Sequence, residues 1–209
     1  MSVKPIMLLA FAGAAGLGLV IGNEALAKYE EPAYSVDRED GNIEIRSYPT
    51  VIAAEVEVSG KGESAADTAF KILAGYIFGK NVSKTKIAMT VPVTENLSAE
   101  KIAMTVPVTT GTDKKHLTMR FYMPSKYSLE TLPEPIDKRI KLYKLPARKF
   151  AVIRFSGFSS EANCRKHEEQ LSTWLKSENL EPSAGSMRAF YNPPWTLPFM
   201  RRNEIWIPL

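Results

Sequence analysis

Cysteine occurs once in the 209 residues, as Cys164, and histidine twice, as His116 and His167. One thiol excludes an intramolecular disulfide, a cysteine-rich zinc site and a Cys-x-x-Cys motif of any kind. Charge of one sign is never concentrated. The 27 Lys and Arg are interspersed with 23 Asp and Glu, and no block of five like charges occurs, so the net charge of +4 leaves no nucleic-acid footprint. Catalytic signatures are also missing. There is no Gly-x-Ser-x-Gly elbow and no His-Glu-x-x-His, and Gly75-Tyr-Ile-Phe-Gly79-Lys80-Asn81 has neither the spacing nor the hydroxyl of a phosphate loop. Gly60-Lys-Gly62 lacks the third glycine of a dinucleotide fingerprint and reads as a strand-to-helix turn. A nucleophile–base pair would have to join Cys164 to His167 or His116. Cys164 and His167 stand three apart, but Leu171 and Trp174 share their face, which is the pattern of packed side chains. Catalysis is not expected.

What is present fits one folded domain behind a leader. A hydrophobic share of 44% with 24% charged residues excludes wholesale disorder and a multi-span membrane protein. After Lys4 an uncharged stretch runs from Ile6 to Gly22, and Ala25-Leu26-Ala27 closes the segment. A charge, an apolar run and Ala-x-Ala are the three parts of a secretory signal. As a helix residues 6–22 would reach about 26 Å, short of a hydrocarbon core of about 30 Å. The reading is that residues 1–27 are a cleaved signal or an uncleaved N-terminal anchor, with a possible membrane tether through 6–22. In either case residues 28–41 form a polar tether, and the domain of 42–209 lies outside the cytoplasm, periplasmic or extracellular.

Within that domain Ile43-Glu-Ile-Arg46 alternates, Tyr48-Pro49 interrupts, and Val51–Val58 resumes the alternation, predicting two strands joined by a tight turn. Ser64 is placed to cap a helix running to about Gly79, with Ala66, Phe70, Leu73 and Ile77 on one face. The same grammar returns 97 residues later. Residues 43–60 and 140–157 share Ile43/Ile140, Pro49/Pro146, Ala54/Ala151, Ser59/Ser156 and Gly60/Gly157, and Ser160 opens a second helix to about Glu178. Strands His116–Met123 and Glu204–Ile207 follow, each ended by proline. The expectation is an α+β fold: two helices flanking a distorted antiparallel β-barrel or sheet, built from a pseudo-two-fold duplicated β-β-α-β-β unit. A shorter repeat, Lys86-Ile-Ala-Met-Thr-Val-Pro-Val-Thr94, returns verbatim at 101–109 and reads as hairpin arms, or as one paired strand and one loop.

The segment with most binding character is Tyr191-Asn-Pro193-Pro194-Trp195-Thr-Leu197-Pro198-Phe199-Met200, followed by Arg201-Arg202. Prolines stiffen a loop, so Trp195, Leu197 and Phe199 can be held outward at little entropic cost on binding. The adjacent arginines suit carboxylates, so a flat apolar ligand with acidic substituents fits. The alternative is a loop that merely caps the sheet, with solvated arginines.

Tyr48-Pro49, Lys101-Ile-Ala-Met-Thr-Val-Pro-Val108, Arg120-Phe-Tyr-Met-Pro124, Arg154-Phe-Ser-Gly157 and above all Tyr191-Asn-Pro-Pro-Trp195 with Arg201-Arg-Asn-Glu-Ile-Trp206 resemble the SOUL haem-binding family. The resemblance covers Tyr34 to Leu209. It implies a distorted barrel of two pseudo-symmetric halves, flanked by two helices, that binds haem or another tetrapyrrole. It also implies an apolar groove between the first helix (Phe70, Leu73, Ala74, Ile77) and the loop (Trp195, Leu197, Phe199), with Arg201 and Arg202 orienting carboxylates. Two departures stand out. Asp67 and Gly75 replace basic side chains that some relatives carry on this helix, and residues 51–58 hold no histidine, where one branch has a proposed axial ligand. Packing rather than iron ligation is therefore expected, with His116 or His167 the sole imidazoles for iron. The competing reading is a generic apolar-ligand or protein-interaction module using the same groove.

Overall fold

The computed structural model describes residues 30–83, 99–112, 115–193 and 195–209. The leader and the first copy of the nine-residue repeat lie outside these residues. In chain order the elements are β1 (Ser35–Asp40), β2 (Ile43–Tyr48), β3 (Val51–Ser59), α1 (Gly62–Ile77), β4 (Asn81–Val82), β5 (Val108–Thr112) and β6 (His116–Tyr122). There follow β7 (Glu134–Pro135), β8 (Lys141–Leu145), β9 (Arg148–Phe155), α2 (Glu161–Ser177), β10 (Met187–Phe190) and β11 (Asn203–Pro208).

Nine strands form one curled antiparallel sheet in the order β1-β2-β9-β11-β10-β5-β6-β3-β8, and β4 pairs with β7 apart from it. Alternation decides which side each residue serves. On β3 the side chains of Ala54, Val56 and Val58 meet α1 in a core with Leu73, Ile77, Met119 and Phe121. On β9 and β11 the side chains of Ala151, Ile153, Phe155, Ile205 and Ile207 meet α2 through Cys164, Leu171 and Leu175. The intervening residues Tyr48, Tyr122, Phe150, Val152 and Trp206 fill the concave side. Both helices therefore lie on the convex face.

The two halves follow the same course, β2-β3-α1-β5-β6 and β8-β9-α2-β10-β11. With β1 set aside, the strand order reads alike from either edge once each strand is exchanged for its counterpart. Register agrees too. Tyr48 lies opposite Arg148, and the residues 97 positions on and back, Leu145 and Val51, also face each other. The middle of this strand order falls between β5 and β10, where Thr110 faces Arg188. The shared glycines have a local cause: Gly60 at the end of β3 and Gly157 after β9 adopt φ of +95° and +99°, which side-chain-bearing residues avoid.

Two sequence expectations are revised. Residues 35–40, placed in the tether, form the exposed edge strand β1 paired with β2, because backbone hydrogen bonding to a sheet edge does not require an apolar face. Ser64 does not cap α1. The helix begins at Gly62, with Lys61 in the capping position and no side-chain cap bond. Ser160 does cap α2, its side chain accepting from the Asn163 N–H.

Candidate ligand-binding site

Directly opposed residues of antiparallel strands share a face. Ala54, Phe121, Val108, Phe190, Asn203 and Phe155 are successive partners across β3, β6, β5, β10, β11 and β9, so they form a row over the convex face. At one side Phe70 of α1 sets its ring edge-on against Phe121, centroids 5.5 Å apart. At the other the His167 ring of α2 stacks on Phe155 at 4.0 Å. Between the helices, Val108 and Phe190 form a strip of sheet, and from Phe190 the proline-rich loop rises.

That loop is held by its own backbone and by the corner after β9. Thr196 N–H donates to the Pro193 carbonyl and Met200 N–H to that of Leu197, while Gly157 N–H donates to the Pro198 carbonyl at 2.9 Å. Arg201 Nε donates to the Thr196 carbonyl at 2.7 Å, and its guanidinium lies 5.2 Å over the Phe158 ring. So fixed, the loop presents Trp195 at 83% exposure and Phe199 at 74%, with Leu197, Met200 and Phe158 also exposed.

The expected site residues thus fall into three groups. Phe70, Ala74, Trp195, Leu197 and Phe199 are accessible to a ligand, Phe70 and Ala74 on α1 and the others on the loop. Leu73 and Ile77 are not: at 0% and 1% exposure they are core residues beneath α1, because the helical stripe that looks like a groove lining is the one the sheet consumes. Arg202 does not face outward as a carboxylate clamp. Its Nε donates to Glu204 at 2.9 Å, its Nη1 to Glu31 at 3.1 Å, and the guanidinium lies 3.7 Å over Tyr191.

The sequence reading missed Glu204. Wholly buried, it accepts from Arg46 Nη1 and Nη2, Arg202 Nε, the Tyr191 hydroxyl at 2.7 Å and Trp206 Nε1 at 2.7 Å. Burial alone would raise its carboxyl; Arg202, Arg46 and the neutral donors overcome this and hold it below the usual carboxylate range. The same burial, with Glu204 adjacent, pushes Tyr191 well up. A lone charge in Glu204-Ile-Trp-Ile was the available signal. Phe190 and Phe158 were also missed, since strand pairing and the corner after β9 bring them near the loop and neither is visible in a short stretch of sequence.

Among the described residues, the concave side encloses a cavity of about 40 Å³ walled by Tyr48, Tyr122, Phe150, Trp206, Arg120 and Arg148, and beside it an open, shallow depression of about 390 Å³ is lined by Tyr34, Ser35, Ser47 and Pro49. The enclosed cavity is room for about three waters. His116 stands at the far end of β6, about 17 Å along the strand from Phe121. His167 Nδ1 lies 2.8 Å from the Asn163 carbonyl and donates to it. Cys164 is fully buried, and burial pushes its thiol up, away from the reactive thiolate. Among the described residues no cluster of His, Cys, Asp and Glu is arranged to hold a metal ion.

A curled antiparallel sheet with two helices on its convex face defines an α+β half-barrel class. Solved structures share it: the C-terminal domain of EcmrR at a TM-score of 0.56 and 11% identity, covering 84% of this chain and 96% of that one, and a hydrolase from Listeria innocua at 0.53 and 15%, covering 82% and 93%. At such identities the likeness concerns the fold alone. Within the class, the SOUL heme-binding protein model matches residues 29–208, and the chain belongs to that family. It is 30% identical over 199 residues to Heme-binding protein 2 of Mus musculus, covering 91% of each chain. To Heme-binding protein 2 of Homo sapiens it is 28% identical over 172 residues, covering 80% of this chain and 78% of the other. Haem is accordingly the ligand of this family, and the residues present fit it as an apolar face does, through the accessible rings of Phe70, Phe158, Trp195 and Phe199.

Proposed function

We propose that the protein binds haem or a related tetrapyrrole, without catalysis, on the convex face between α1 and the proline-stiffened loop. The supporting observation is the accessible rings of Phe70 on α1 and Phe190 on the sheet, continued by the loop bearing Trp195 and Phe199; Phe121 and Val108 lie in the same row as buried support. Two strand spacings carry the row about 10 Å across the sheet, a width that suits a planar macrocycle. Affinity comes from removing apolar faces from water at about 25 cal/mol per Å², offset by the ordering of both partners. Arg201, at the edge of the patch over Phe158, is the arginine of the pair placed to orient a ligand carboxylate.

The deep placement of Cys164 and the engagement of His167 support a non-enzymatic role. The leader composition supports action outside the cytoplasm. The repeated element order and register support descent of both halves from one β-β-α-β-β unit.

Titration of the apo protein with ferric haem and with metal-free protoporphyrin tests the site. Both ligands show a Soret shift, and Phe70→Ala and Trp195→Ala each weaken binding about tenfold, about 1.4 kcal/mol. No shift at micromolar concentrations overturns the reading. Wild-type binding by Trp195→Ala favours a generic interaction module instead. If ferric haem alone binds, and His167→Ala abolishes it, ligation by the Nε2 lone pair replaces packing as the source of affinity.

A further inference from the structure

We propose that the loop of residues 195–200, together with Phe158, is a membrane-docking element that inserts its apolar side chains into the interface of a lipid bilayer. Trp195, Phe199, Leu197, Met200 and Phe158 are exposed by 83, 74, 54, 45 and 62%. They form one patch, because the Pro198 carbonyl is bonded to Gly157, next to Phe158, and Arg201 spans to the Phe158 ring. An exposed patch of large apolar residues on a rigid loop marks an interaction surface rather than a random surface composition.

Lipid is the occupant because of where the chain enters the domain. The Glu31 carboxylate is bonded to Arg202, directly after the loop, and Glu30 is tied by its carbonyl to the Val106 N–H and by its carboxylate to the Ser125 N–H. Glu30 and Glu31 therefore lie at the same end of the sheet as the loop. The uncharged stretch ends at Gly22, eight residues earlier, so it is anchored within about 29 Å of Glu30 even at full extension. Retained as an uncleaved anchor, residues 6–22 would hold that end of the sheet, and with it the apolar loop, toward the bilayer. Tryptophan with aliphatic and phenyl neighbours is the composition of interfacial anchors, and Arg201 at the patch edge suits headgroup phosphates. The inference stands apart from the choice of pigment; it concerns the same loop in the absence of any ligand.

The experiment uses the full chain, free of haem, with vesicles of phosphatidylcholine and phosphatidylglycerol brominated on the acyl chains. Trp206 is buried, and Trp174 is held on α2 with its Nε1 bonded to Asp40, which leaves Trp195 as the reporter. Insertion quenches part of the tryptophan emission through the bromines and protects it from aqueous iodide. Trp195→Phe removes that quenched component while the protein stays vesicle-bound, and Leu197→Asp with Phe199→Asp reduces the bromine quenching of Trp195. Unchanged iodide access with no bromine quenching overturns the proposal, even if the chain floats with the vesicles through residues 6–22. Failure to associate with vesicles, or bromine quenching that persists in Trp195→Phe, overturns it equally. A haem titration in lipid-free buffer is read separately, so loss of either behaviour is assigned unambiguously.

Discussion

Glu204 accepts from two arginines, a tyrosine and an indole inside the concave side, and this one carboxylate ties β2 to β11. Removing its charge leaves the buried Arg46 with Glu44 as its remaining carboxylate partner and costs up to about 3–5 kcal/mol, the range for broken buried pairs. Glu204→Gln is therefore expected to lower the urea midpoint sharply at pH 7 with the far-ultraviolet signal of the fold retained. The pH dependence follows from the direction of the shift. A carboxyl held below its unfolded value of 4.5 contributes stability that is complete above that value and is lost as pH falls through the folded one. Glu161, hydrogen-bonded by Arg188 and lowered to about 2, acts in the same sense between 4.5 and about 2, weakened by its exposure to solvent. The urea midpoint should be flat above about pH 5 and decline below it; a midpoint rising on acidification would contradict the arrangement. None of these partners was legible from the sequence, because Arg46 and Glu204 are 158 positions apart.

Among the elements the two helices respond differently to matched changes. Ser160→Ala removes the oxygen that receives the Asn163 N–H and should cost about 1 kcal/mol. Ser64→Ala should lie within a few tenths, since Ser64 is inside α1 rather than at its cap. Thermal melts of both variants check the pair. Along α1 the stripe Phe70, Leu73 and Ile77 divides as well. Leu73→Ala opens a core cavity and should cost about 2–5 kcal/mol, while Phe70→Ala should cost less stability and more haem affinity. Helical spacing announces which residues share a face; it does not announce that the sheet takes Leu73 and leaves Phe70 at the rim. In β1 the sequence was uninformative for a different reason. An edge strand exposed on both faces carries no alternation, so Ser35–Asp40 reads as a polar tether.

For the whole molecule, α1 packs on β3 and β6 and α2 on β9 and β11, so both lie on the convex face with β5 and β10 between them. The proposed ligand face lies over that gap, between Phe70 and the loop. Deleting the loop's rings should therefore affect ligand and lipid behaviour without affecting folding: Trp195→Ala is expected to melt within about 0.5 kcal/mol of wild type, which calorimetry measures.

Local pattern determined the order β-β-α-β-β in each half, the stiff aromatic loop, the buried thiol and the family motifs, because alternation, helical period and proline content are properties of neighbouring residues. Tertiary structure alone decided which side of α1 faces solvent, that Arg202 turns inward to Glu204, and that Phe121, Val108 and Phe190 align. Those outcomes depend on strand register and on charges brought together from distant parts of the chain, and no short stretch of sequence contains either.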